Sequence, residues 1–74
     1  MKPHYVALDY GDPSEKIVMV TVNAEDGEVI DIIEMFELKR RVEAEALAHR
    51  LAKVFALPLN LIEHYGAAPQ PVMV

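Results

Sequence analysis

Asp9 and Glu63 are the residues whose type and placement could carry chemistry. Asp9 ends an alternating run, Ala7-Leu8-Asp9-Tyr10-Gly11, and Glu63 lies in a later apolar run. Two carboxylates on neighbouring strands can share a divalent cation, and a hard cation held by oxygen ligands is what metal-assisted hydrolysis requires. Against this stands an ordinary role for Asp9, capping the turn at residues 11–14. Other constellations are weaker. Asp9, Asp12 and Glu15 crowd one loop without the ligand spacing or central glycine of an EF-hand, so a solvated turn accounts for them. His4, His49 and His64 are scattered, and His49 sits one helical turn after Glu45, where an exposed ion pair would account for it. Ser14 is the sole serine, there is no cysteine, and no glycine-rich phosphate loop is present. No metal site and no cofactor is expected.

The elements that must position these residues follow from periodicity. Residues 4–10 alternate as a half-buried strand, Gly11-Asp12-Pro13-Ser14 breaks it, and a second strand covers residues 16–23. Asp26-Gly27 signals a hairpin with a two-residue primed turn, which sets Glu25 opposite Glu28 and leads into a third strand over residues 28–36. A longer loop would shift that register by one. Ala44, Leu47, Ala48, Leu51, Val54 and Phe55 form one apolar stripe on a helix over residues 42–57, ended by Pro58. Lys39-Arg40-Arg41 would oppose the helix dipole and is assigned to the connection before it. Residues 59–65 make a fourth strand.

A right-handed crossover returns this fourth strand beside the first. The expected fold is α+β: a three-stranded antiparallel meander, one crossover helix, and a fourth strand parallel to strand one (βββαβ, order 3-2-1-4), with the helix on one face. Residues 1–66 form a single domain, and residues 67–74 a proline-containing tail.

This topology and the Leu8-Asp9-Tyr10-Gly11 stretch together resemble the first half of the ribonuclease H-like nucleases, including the small Holliday-junction resolvase-like members. The resemblance covers about 60 residues. It implies a two-metal site with Asp9 as the strand-one aspartate and Glu63 as the strand-four acid, that is, a truncated metal-dependent nuclease. The later strand and C-terminal helix that bring a further carboxylate in that family have no counterpart here.

Composition points elsewhere. The chain has 74 residues, 53% of them hydrophobic and 26% charged, so it is expected to fold. A domain of this size buries only about 60% of its unfolded surface. Without disulfides, association is the expected stabiliser. No signal peptide is expected at residues 1–4, no run approaches the roughly 20 apolar residues of a membrane helix, and a cytoplasmic location is expected. The net charge is −5. Residues 1–37 hold nine acids against Lys2 and Lys16, whereas residues 38–74 hold five bases against three acids. The overall sign opposes nucleic-acid binding. The acids Glu25, Asp26, Glu28, Asp31 and Glu34 instead suit a basic surface on a protein, as in small mobile-element inhibitors that occupy nucleic-acid-binding proteins.

The second and third strands are apolar on both faces, yet one helix can cover only one. The expected uncovered face is Ile17, Met19, Ile30, Ile32 and Phe36. Full burial of these five would be worth about 7–15 kcal/mol, comparable with the stability of a whole domain. Either Val72, Met73 and Val74 of the tail fold back over it, or a second copy pairs through this face or an exposed strand edge. The expectation is therefore a small acidic non-catalytic interaction module, homodimeric.

Overall fold

The computed structural model describes residues 2–12 and 14–62. It contains β1 (Tyr5–Asp9), β2 (Ile17–Asn23), β3 (Val29–Glu37), a 3-10 turn (Leu38–Arg40), α1 (Arg41–Phe55) and β4 (Leu59–Ile62). The sheet order is β3-β2-β1-β4. Neighbours β1 to β3 are antiparallel and β4 runs parallel to β1, as expected from the pattern. The expected tail, residues 67–74, lies outside the described residues.

Cross-strand partners share a face, which sorts the side chains. Val6, Leu8, Val18, Val20 and Phe36 pack with Ala44 and Ala48 of α1 in one core cluster, bordered by Leu47, Leu51, Leu57, Leu59 and Leu61. Tyr10 at the end of β1 joins this side, where its hydroxyl donates to Glu45 Oε2 over 3.1 Å. Tyr5, Ala7 and Asp9 therefore point the other way, opposite Asn23, Thr21 and Met19.

The hairpin differs from the two-residue turn expected of Asp26-Gly27. Gly27 N–H donates to the Ala24 carbonyl and Ala24 N–H to the Glu28 carbonyl, so Ala24 and Glu28 close a three-residue loop. Gly27 takes φ +94°, the left-handed position such loops require. The longer loop shifts the register at Asn23, now opposite Val29. Two irregularities then follow, between Val22 and Asn23 and between Val20 and Thr21, where Ile30 and Ile33 are the extra residues on β3. The ladder thus matches the two-residue expectation at Val22–Asp31 and Thr21–Ile32, then slips to Val20–Glu34 and Val18–Phe36.

Both ends of α1 are set by unusual means. No side-chain cap serves its N-terminus, and Arg41 opens the helix where the dipole disfavours a cation. Arg40 offsets this with two 2.7 Å hydrogen bonds to Glu43. These bonds hold the Glu43 carboxyl below its usual range and raise the Arg40 guanidinium. At the C-terminus, Leu57 N–H donates to the Ala52 carbonyl and Ala56 N–H to the Lys53 carbonyl. That pattern ends the helix at Phe55, short of the expected end at residue 57 before Pro58, with Ala56 left-handed at φ 54° and ψ 45°. Glycine avoids the cost of about 1–2 kcal/mol that a β-carbon adds there, less about 0.4–1 kcal/mol for its freer unfolded chain. Ala56→Gly is expected to stabilise the fold by about 0.5–1 kcal/mol, read from urea unfolding midpoints.

Candidate functional site: the β3 edge

Among the described residues β3 is an edge strand of nine residues, and only Phe36 within it is buried. Its sequence repeats two apolar residues and one acid: Val29-Ile30-Asp31, Ile32-Ile33-Glu34, Met35-Phe36-Glu37. A regular strand would send residues three apart to opposite faces. Each irregularity absorbs one residue, so Asp31 and Glu34 both come out on the helix side, opposite Val22 and Val20. Because Leu38 N–H donates to the Lys16 carbonyl, alternation leaves the backbone groups of Met35 and Glu37 aimed at the free edge.

The apolar exposure is concentrated on this strand. Ile32 and Met35 are 52% and 56% exposed on the helix-free side, where they face Thr21 and Met19. On the helix side, Ile30, Asp31 and Ile33 line a groove of about 380 Å³ with Pro3, Val22, Phe55 and Leu57. Phe55 and its neighbour Val54, expected to complete the helix stripe, remain exposed at the end of α1. Their stretch of α1 does not close over β3.

The residues expected to form one uncovered face are divided. Ile17 and Met19 are half-buried on the helix-free side and Ile32 is exposed there. Ile30 lines the groove on the helix side. Phe36 is 6% exposed within the core cluster against α1, which corrects its expected place. The irregularity at Ile33 changes the parity of the strand after it and turns Phe36 inward, leaving Met35 outside. The irregularity at Ile30 likewise sets Val29 opposite Asn23 on the helix-free side, whereas Ile33 stays on the helix side and is exposed because α1 does not reach over it. The adjacent pair Ile32-Ile33, which breaks alternation, is the signal that could have found the irregularity.

The middle of the helix-free face is polar and closed. Ala7, Thr21 and Asn23 are at most 1% exposed. Thr21 Oγ1 donates to Asn23 Oδ1 over 2.6 Å, while Asn23 Nδ2 reaches the Tyr5 hydroxyl and the Gly27 carbonyl at 3.4 Å. The tail residues Val72, Met73 and Val74 lie outside the described residues.

The acids fall into two groups. Glu25, Asp26 and Glu28 are exposed at the hairpin, with Glu25 3.8 Å from His4, and Asp31 and Glu34 are exposed along β3. Asp26 Oδ1 accepts the Glu28 N–H. His49 does not take the expected partner, since Glu45 bonds to Tyr10. Asp12 accepts the N–H and hydroxyl of Ser14, which hold its carboxyl below the usual range. Asp9 ends β1 at 9% exposure, and its Oδ1 accepts the Gly11 N–H over 2.8 Å, the turn-capping role. Glu63 and His64 lie outside the described residues. Among the described residues, no group of three or more His, Asp or Glu side chains could hold a metal ion, and no helix is long and apolar enough to cross a membrane. No protein-family model matches the chain, and no curated protein or solved structure shows significant similarity to it.

Proposed function

We propose that this chain is a small acidic, non-catalytic interaction module that works as a homodimer through the edge of β3. The observation that carries this reading is a nine-residue edge strand with apolar side chains exposed on both of its faces. Such an edge offers unpaired backbone groups and apolar area together, the two things a pairing strand uses. The chain is also small enough to gain markedly from burial between copies. The exposed acids beside the edge suit a basic surface, which adds selectivity to an otherwise sticky strand.

Sedimentation over a wide concentration range tests the reading. The wild-type chain should move from monomer to dimer with rising concentration, whereas an Ile32→Lys/Met35→Lys variant stays monomeric. A wild-type monomer throughout would refute it. The metal-nuclease alternative rests on Asp9 and Glu63. Because Asp9 already caps the turn at Gly11, magnesium is expected to leave the amide signals of Asp9 and Gly11 unshifted in an NMR titration. Saturable shifts confined to Asp9 and Glu63 would favour the nuclease instead.

A further inference from the structure

The charge pattern along the β3 edge goes further and specifies how the two copies meet. This inference rests on the edge-mediated dimer proposed above. The strand is entered from an acidic loop, Glu25, Asp26 and Glu28, and left through a basic segment, Lys39, Arg40 and Arg41. We infer that two β3 strands pair antiparallel about a two-fold axis near the middle of the strand. The hairpin acids of each copy then lie beside Lys39 and Arg41 of the other.

Three observations converge on this arrangement. Parallel pairing would set acidic loop beside acidic loop and basic segment beside basic segment, while antiparallel pairing brings opposite charges together twice. Arg40 is held by Glu43, whereas Lys39 pairs, among the described residues, with the exposed carboxylate of Glu37 at 3.3 Å, so its charge can be shared across a contact. A two-fold axis perpendicular to the sheet puts both helices on the same face. The start of α1 in the second copy, where Val42 is 71% exposed, then faces the groove of Ile30, Asp31, Ile33 and Phe55. An apolar residue that follows the cations Lys39, Arg40 and Arg41 is thus offered to an apolar groove with a carboxylate in its wall.

The arrangement also closes on itself. Pairing of β3 with β4 of another copy is head-to-tail and gives a larger ring or an open array, whereas β3 with β3 consumes the long edge of both copies in a closed dimer. The irregularities at Ile30 and Ile33 interrupt the ladder and restrict it to one short matching stretch.

The native chain has no cysteine, so single cysteines report contacts cleanly. Replacing Ile30, Ile32, Ile33 and Met35 by cysteine one at a time, followed by oxidation of the full chain, should crosslink efficiently at one or two central positions only. Equal crosslinking at all four would indicate parallel pairing and overturn the inference. In parallel, Lys39→Glu/Arg41→Glu should weaken the dimer at least about tenfold, and adding Asp26→Lys/Glu28→Lys should restore it. Circular dichroism of each variant verifies that it is folded. A dimer indifferent to these charge reversals would overturn the arrangement and leave the homodimer reading standing, whereas a wild-type chain that never dimerises would remove both.

Discussion

Phe36→Ala is expected to destabilise the fold by about 3–5 kcal/mol, the usual cost of emptying a buried phenylalanine site. Phe36 is 6% exposed and packs with Val18, Val20, Ala44 and Ala48, where the small helix residues cannot move in to fill the space. Arg40 also stands 5.5 Å from its ring centroid, so the change removes part of the anchor between β3 and α1. A chain of this size has about 5–15 kcal/mol in total at most, so much of the variant should be unfolded at physiological temperature. Met35→Ala is the informative control. The Met35 side chain is 56% exposed, and the substitution should change monomer stability by no more than about 0.5 kcal/mol. Urea unfolding of both variants at low protein concentration measures the difference. A larger cost at Met35 than at Phe36 would mean that β3 presents the opposite face to α1.

Ile32→Lys/Met35→Lys should raise the dimer dissociation constant by about 100-fold or more. Each substitution withdraws a side chain worth about 1.5–3 kcal/mol when fully buried and sets a cation on the edge, the means by which natural edge strands resist pairing. Both residues lie on the helix-free side and away from the core cluster, so far-ultraviolet circular dichroism should be unchanged. The melting temperature of the wild type should rise with protein concentration, because dimerisation stabilises by mass action, and that of the variant should not. A variant that sediments like the wild type at every concentration would show that the edge takes no part in association. Together the two substitutions separate the faces of one strand: Phe36 supports the monomer, and Ile32 with Met35 supports the dimer.

The α+β topology was legible because each element carries its own local signal. Val6 and Leu8 alternate, Gly11 and Asp12 break the chain, and Ala44, Leu47, Ala48 and Leu51 recur at helical spacing. The right-handed crossover rule then leaves β4 beside β1, with no further information needed. Helix ends were less accurate, since Ala56 is an unpromising residue for a left-handed cap and is held there by the hydrogen bonds of Leu57 and Ala56. The charge contrast between the chain's halves was also visible, although its arrangement at the two ends of one edge strand was not.

The identity of the exposed surface depended on tertiary structure. Alternation assigns faces only while the ladder is regular, and β3 carries two extra residues, Ile30 and Ile33, after a three-residue loop. Each extra residue reverses the parity of everything beyond it. Such a residue is accommodated by the competing contacts of β2 and α1, and local sequence preference is nearly indifferent to it. The sequence by itself thus determined the elements, their order, and an excess of apolar residues on strands two and three that one helix cannot cover. Tertiary structure decided that this excess lies along the β3 edge and in the groove beside Phe55, because strand parity and the reach of α1 are properties of the assembled sheet.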